Sequence, residues 1–203
     1  MERDNEDRNS TLPKRLKVIG GHHGTGAIVV RLAKAKGYQV TIFEGDVLDF
    51  DQVKQQIRDV DAVISLLGPR KDSVPDLCSH GMQNIVSVMA ANKVKRLVQV
   101  TGAMIGHPRN RLGLVYRLIL ATVPDSMMAD RRLQEKIVMQ SGLDWTLIRP
   151  TRLSDDPARG VWRDGIDEKV GAFAHIARAD VAEAALRALA DARSIGKALT
   201  LQY

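Results

Sequence analysis

The sequence predicts an α/β fold, a doubly wound parallel sheet with helices on both faces, in a single domain. Three observations carry this. Short apolar runs alternate with amphipathic stretches of helical length along most of the chain. Runs such as Ala62-Val63-Ile64-Ser65-Leu66-Leu67 lack polar alternation, which suits strands covered on both sides. A glycine-rich turn joins the first run directly to the first helix.

Taken in order, Leu16 to Ile19 reads as a strand and Gly20 to Gly26 as a turn. Ala27 to Lys36 has helical spacing, with Ile28, Val29, Leu32 and Ala33 toward one side, and Gly37 stops it. Tyr38 to Phe43 is the next strand. Asp51 to Val60 is a helix, capped by Asp49 or Asp51. Ala62 to Leu67 is a strand ended by Gly68 and Pro69. His80 to Asn92 is a helix, Arg96 to Thr101 a strand, and Ser126 to Ser141 a long helix ending near Gly142. Trp145 to Arg149 is a strand halted by Pro150. A helix from Ala179 to Ala192, capped around Arg178-Ala179-Asp180, leads to a closing strand from Ala198 to Gln202.

Composition limits the function classes. A chain of 203 residues suits one domain, expected from residue 16 to 203, behind a polar disordered tail at 1–15. That tail has no apolar core segment, so it does not read as a signal peptide. No run reaches the roughly 18 apolar residues of a membrane span, since Tyr116 and Arg117 interrupt Leu112 to Val123, the nearest approach. The formal charge of +6 comes from basic residues spread along the chain, not from a clustered face. A phosphate-bearing small ligand accounts for it, and neither nucleic acid nor membrane is expected as a partner. Cys78 is the single cysteine, which excludes an internal disulfide and fits a reducing, cytoplasmic setting. Cys78 is expected to be a buried thiol. A monomer or weak homodimer is the expected state.

The turn Gly20-Gly21-His22-His23-Gly24-Thr25-Gly26 has four glycines in seven residues, between a strand and a helix. That context fits a Rossmann-type dinucleotide site. A diphosphate needs backbone N–H groups aimed at it and a helix N-terminus behind it. Gly20 is expected to make the tight turn, Gly24 or Gly21 to approach the phosphates, and Gly26 to let the helix pack near the strand. His22 and His23, being adjacent, point apart and make a poor chelating pair. They are read as the polar lip of the loop, with a hydrogen bond to phosphate as the alternative, and no metal is expected.

Four segments in order carry a family resemblance: Gly20 to Gly26, Glu44-Gly45-Asp46-Val47-Leu48-Asp49, Asp61 to Pro69, and Ser141-Gly142-Leu143-Asp144-Trp145-Thr146-Leu147-Ile148-Arg149-Pro150. Arg178-Ala179-Asp180-Val181-Ala182 adds a fifth. From Leu16 to Tyr203 the chain resembles the atypical short-chain dehydrogenase/reductases, specifically the NmrA-like and the biliverdin reductase B and flavin reductase-like NAD(P)H-binding proteins. The resemblance implies that Gly20, Gly24 and Gly26 hold the cofactor diphosphate, with Gly21, His22, His23 and Thr25 in the same loop. It places Asp46 and Val47 beside the adenine, and Leu67, Gly68 and Pro69 along the adenosine and ribose. Thr101 stands near the nicotinamide, where the family often has Ser. Pro150, Thr151 and Arg152 border the nicotinamide and the substrate mouth. NADP or NAD is the implied cofactor, with NADPH favoured by the family.

The departures also matter. His23 stands where the family often has a third glycine, and Arg131 where it often has Lys. Four residues after Tyr116 stands Leu120, so Tyr116 does not begin a Tyr-x-x-x-Lys pair. Between Val40 and Glu44, about 15–20 residues are missing relative to a complete βαβ unit, including the Arg-bearing loop that reads a 2′-phosphate. Either the unit is truly shortened or a loop has been omitted. If it is shortened, Glu44 either faces a ribose hydroxyl, as an acid does in NAD binders, or is a solvated strand end.

Hydride transfer to a flavin, quinone or similar planar acceptor asks little acid–base chemistry of the protein. Thr101 is expected to orient a carboxamide or a water. Leu112, Leu114, Val115, Leu118, Ile119 and Leu120 either wall an acceptor pocket or pack in the core, and Met127 and Met128 add adaptable surface. His107 is either a proton donor or an exposed loop residue. The expected function is therefore an NAD(P)H-dependent reductase. The alternatives are a non-catalytic dinucleotide sensor and a scaffold that has lost its cofactor.

Overall fold

Helices and strands alternate as the apolar pattern predicts. The computed structural model describes residues 13–203 apart from Lys71 and Asp167, and leaves out the side chain of Arg109. The strands are β1 (Arg15–Ile19), β2 (Gln39–Ile42), β3 (Ala62–Ser65), β4 (Arg96–Val100), β5 (Asp144–Pro150), β6 (Arg152–Ser154), β7 (Arg163–Gly165), β8 (His175–Ala177) and β9 (Lys197–Gln202). The helices are α1 (Gly24–Ala35), α2 (Phe50–Gln56), α3 (Leu77–Ala91), α4 (Ala103–Gly106), α5 (Leu114–Leu120), α6 (Asp125–Gln140) and α7 (Arg178–Ala190).

Seven strands form one sheet in the order β2-β1-β3-β4-β5-β9-β7. The first six run parallel, and β7 pairs antiparallel with β9. Strands β6 and β8 form a separate parallel pair. The order reverses at β1: the chain leaves β1 for β2 on one side, then returns to β3 on the other. Such a switch point opens a crevice at the carboxyl ends of the strands. Among the described residues no strand lies outside β2, so Tyr38 to Phe43 supplies a single edge strand.

Two apolar layers cover the sheet. One packs Val29, Val30 and Ala33 of α1 with Val181, Ala185 and Leu189 of α7. The other packs Val53, Met82, Ile85, Met89 and Val138 from α2, α3 and α6. A third, smaller cluster joins Leu112, Tyr116, Leu120, Met128 and Val170 beyond the ends of β4 and β5. Among the described residues no helix is long and apolar enough to cross a membrane.

Several boundaries differ from the sequence reading. Helix α1 starts at Gly24, inside the expected turn; this first residue has a positive φ of 51°, which only glycine adopts readily, and leads the chain from the turn into the helix. Helix α2 ends at Gln56, short of Val60; the chain unwinds to Asp59 at φ 57°. Asp49 does cap it, accepting from the N–H groups of Asp51 and Gln52. Helix α7 is capped by no side chain. Asp180 instead accepts from the Arg159 and Gly160 N–H groups and from the Tyr203 hydroxyl. The expected tail at 1–15 lies largely outside the described residues, but Arg15 belongs to β1. The Lys14 and Arg15 N–H groups donate to Asp61, as does the Arg15 guanidinium.

These ties give a pH dependence. Hydrogen bonds from Arg15 hold the Asp61 carboxyl below its ordinary value, those from Gln52 do so for Asp49, and those from Arg193 for Asp191. A carboxyl with a lowered folded pKa contributes stability that is present above its unfolded value of 3.8 and lost as pH falls through the folded value. Asp61→Asn is therefore expected to destabilise the protein at pH 7 and to flatten the loss of stability below pH 3.8. Urea melts of both proteins at pH 7 and at acid pH test this; parallel losses would overturn it.

Candidate functional site

The carboxyl ends of the strands carry two neighbouring pockets. The first is a cleft of about 610 Å³ between the turn after β1, the loop after β2 and the loop after β3. Gly20, His22, His23, Glu44, Asp46, Val47, Leu67 and Gly68 line it, all expected from the sequence. Ile19, Phe43 and Leu77 add apolar wall, and Arg70 and Ser73 add polar groups.

The turn has the geometry of an anion cradle. Gly20 has φ 77° and passes so close to β3 that a Cβ would lie 3.3 Å from the Leu66 carbonyl oxygen. A Cβ on Gly26 would lie 1.9 Å from the Gly20 carbonyl oxygen, so α1 packs against the turn at a separation only glycine allows. Gly21 is buried against Ile42 and Val30, whereas Gly24 is exposed at the start of α1. The structure thus separates the two candidates: Gly21 packs, and Gly24 is open. No side chain caps α1, and its first turn holds no acidic residue. Its first N–H groups and the positive end of its dipole therefore suit a negative ligand. Thr25 is buried, and its Oγ1 has no hydrogen-bond partner.

Arg178, at the start of α7, brings a cation to the same place. Its Nη1 lies 3.9 Å from where a Cβ on Gly24 would stand. Its Nε donates to Asp155 Oδ1 at 2.9 Å, which holds the side chain in place. The sequence reading treated Arg178 as part of a helix cap. What it missed was the approach of α7 to α1, which no local pattern records.

At the other end of the cleft, α2 staples the loop after β2. The Glu44 N–H donates to Gln56 Oε1, the Asp46 N–H to Gln52 Oε1, and Gln56 Nε2 to the Glu44 carbonyl. This fixes Glu44 just past the end of β2, where its Oε1 lies 3.1 Å from His22 Nε2. His22 and His23 have ring centroids 6.3 Å apart at 53°, so they diverge as adjacent residues should. Among the described residues no group of three or more His, Cys, Asp and Glu side chains is placed to hold a metal ion.

The second pocket, of about 310 Å³, opens beyond β4 and β5. Thr101, Pro150, Thr151 and Arg152 line it, as the resemblance implies, with Met104, Ile105 and Ile119 as apolar wall. Of the expected apolar segment, Leu112, Leu120 and Met128 belong to the core instead, and Leu114 and Leu118 are exposed. Thr101 donates its hydroxyl proton to Glu135 Oε1 at 2.6 Å, leaving its lone pairs to accept. Tyr116 also lines this pocket, but its hydroxyl donates to the Ala174 carbonyl and accepts from the Arg152 N–H. Burial raises its pKa further.

His107 is neither exposed nor part of this lining. Helix α4 turns it inward, where its Nε2 lies 2.5 Å from Thr200 Oγ1 on β9. Pro69 is exposed beside the first cleft. Cys78 is buried, as expected, and burial pushes its thiol up to about 11. Arg131 sits between the two pockets: it lines the second, and its Nη1 donates to the Leu67 carbonyl at the wall of the first.

Comparison with known proteins agrees with this geometry. The NAD(P)H-binding family model matches residues 16–192. A wide-type short-chain dehydrogenase/reductase from Veillonella parvula, solved in complex with NADP, superposes with a TM-score of 0.79 at 15% identity over 95% of each chain. The anaerobilin reductase ChuY from Escherichia coli O157:H7 gives 0.76 at 20% identity, over 92% of this chain and 96% of that one. The oxidoreductase ylbE from Lactococcus lactis gives 0.78 at 17%, over 92% and 90%. At these identities the likeness is one of fold.

Proposed function

The chain belongs to the NAD(P)H-binding family, and from that premise we propose that it is a reductase passing hydride from a nicotinamide dinucleotide to a flavin, quinone or similar planar acceptor. One observation carries the reading: the phosphate-type cradle at α1 and the apolar pocket at Thr101 lie along the same sheet edge, with Arg131 touching both.

The residues fit a dinucleotide. The glycine-only approach of α1 to the turn, at a helix start that no side chain caps, suits a closely held anion. Gly20, Gly24 and the α1 N-terminus would hold the diphosphate, with Arg178 beside them. Val47, Leu67 and Gly68 would flank the adenosine. When bound, the nicotinamide supplies a hydride, that is two electrons and one proton. The apolar wall of the second pocket keeps water from the acceptor face, and Thr101 presents an accepting oxygen to a carboxamide N–H. The proton that completes the reduction comes from solvent.

Glu44 favours NAD over NADP. A carboxylate at the end of the second strand accepts from ribose hydroxyls and repels a 2′-phosphate. Among the described residues no strand lies outside β2, and the arginine that lines this cleft, Arg70, comes from the loop after β3. NADH is expected to bind more tightly than NADPH, and Glu44→Gln to narrow the difference.

Fluorescence titration with both dinucleotides, followed by turnover with a panel of flavins and quinones, tests the reading. Binding with turnover supports a reductase. Binding without turnover overturns it in favour of a sensor, and no binding overturns both. Arg178→Gln is expected to weaken the cofactor about tenfold, the scale of one charge-assisted hydrogen bond, and to reduce the salt dependence of binding. An unchanged Kd would remove Arg178 from the site.

A further inference from the structure

Three of the four most exposed large apolar side chains among the described residues stand together, outside the third apolar cluster. Phe173 is 80% exposed, Leu114 65% and Leu118 62%. Leu114 and Leu118 lie one turn apart on α5, so they share a face. Phe173 belongs to the 170–174 loop, which packs on the start of α5. There the Gly113 N–H donates to the Val170 carbonyl at 2.9 Å, and a Cβ on Gly113 would lie 2.6 Å from the Ala172 Cα.

Single exposed apolar side chains are ordinary on a protein surface, but a group of them marks a contact. Helix α5 already buries Tyr116 and Leu120 in the third cluster. It is therefore apolar on its outward side as well, and a helix apolar all round calls for cover on both sides. Charge indicates what the cover is. From Thr101 to Pro124 the chain has three arginines and no acidic residue. Arg117, beside Leu118, is exposed, and so is Lys169 at the edge of the 170–174 loop. The acid before Lys169, Glu168, pairs with Arg163 and accepts from Gln202. The next acid along the chain from α5 is Asp125, at the start of α6.

We propose that α5 and the 170–174 loop dock on the surface of an anionic lipid bilayer. Leu114, Leu118 and Phe173 enter the interface, and Arg117 reaches the headgroup phosphates. Interfacial segments of this kind combine an apolar face with flanking cations, whose long stems keep the charge at headgroup level. The sequence excludes a membrane span, but lying on a bilayer requires none. A second copy of the chain fits less well. A two-fold contact sets the patch against itself, so the arginines of 101–124 would meet their own kind with no acid from that segment to pair them. Docking is read without cofactor or acceptor, so it stands apart from the reductase reading.

Co-sedimentation with vesicles of phosphatidylcholine, with and without phosphatidylserine, tests the proposal. The protein is expected to sediment with the phosphatidylserine vesicles, less with phosphatidylcholine alone, and less again as salt is raised. Burial of one leucine is worth about tenfold in affinity. Leu114→Gln combined with Leu118→Gln is therefore expected to weaken vesicle binding at least about tenfold. Its melting temperature is expected to hold, because both side chains already face water. Phe173→Ser, off the helix, is expected to act in the same direction, and Arg117→Gln to remove part of the phosphatidylserine preference. Failure of the unaltered protein to sediment with either vesicle would overturn the proposal, whether or not the variants fold. So would vesicle binding that the leucine and phenylalanine changes leave intact, since attachment would then run through charge elsewhere. A dimer seen by analytical ultracentrifugation without lipid, and dissolved by the leucine changes, would overturn it in favour of a contact between copies.

Discussion

Gly26→Ala is expected to weaken dinucleotide binding by about 100-fold and to lower the melting temperature by several degrees. The added methyl would stand 1.9 Å from the Gly20 carbonyl oxygen and 2.8 Å from its carbon. Both are backbone atoms, so no rotamer change relieves the clash. The helix must retreat from the turn by more than an ångström, and displacements of that size at a binding constellation cost about 100-fold. Overpacking of this kind costs roughly 1–3 kcal/mol, or several degrees for a chain of this length. Gly37→Ala is the control. Gly37 also has a positive φ, 85°, but a Cβ there meets nothing within 4 Å. It is expected to lose about 1–2 kcal/mol from backbone strain alone and to bind cofactor normally. Thermal melts and fluorescence titrations separate the two. Normal binding by Gly26→Ala would mean that the close approach of α1 to the turn does not shape the phosphate cradle.

The parts legible in the sequence are those that local pattern determines. Strands β1, β3, β4, β5 and β9 are apolar runs because both faces of the parallel sheet are covered, and the run itself reveals them. The turn at Gly20 to Gly26 is legible because its glycines are required at particular positions. The loop after β3 is legible because Gly68 and Pro69 break the apolar run, although β3 itself ends at Ser65. Together these place the first cleft.

The region from 152 to 177 is the reverse case. Strands β6, β7 and β8 have three residues each, carry Arg152, Arg163, Asp164 and His175, and find their partners far away in sequence. No alternation of apolar and polar residues announces them. Tertiary position likewise decides what individual polar residues do. Asp180 looks like a cap until Tyr203 and the 159–160 loop are brought to it. His107 reads as a loop residue until α4 directs it onto Thr200.

The second large effect is expected behind Thr101, one of the residues that line the second pocket. Arg149 and Glu135 form a buried pair: Arg149 Nη2 lies 2.6 Å from Glu135 Oε2, and Arg149 Nε donates to Oε1 at 3.1 Å. The side chains are 11% and 4% exposed. Thr101 Oγ1 donates to the same Oε1, so the pair also fixes the hydroxyl that faces the pocket. Arg149→Met removes one charge and strands the other away from water, which costs about 3–5 kcal/mol. Adding Glu135→Met removes the stranded carboxylate, and replacing a buried pair by apolar side chains of similar size is often neutral. Urea melts are therefore expected to show a large loss in Arg149→Met and recovery in the double variant. Function is expected to diverge from stability at this point. In the recovered protein the Thr101 hydroxyl has lost its acceptor and is free to rotate, so kcat with a planar acceptor should fall by a larger factor than the cofactor affinity does. A loss below about 1 kcal/mol in Arg149→Met would show that water reaches the pair. An unchanged kcat in the double variant would show that Thr101 does not depend on Glu135 for its place beside the reacting ring.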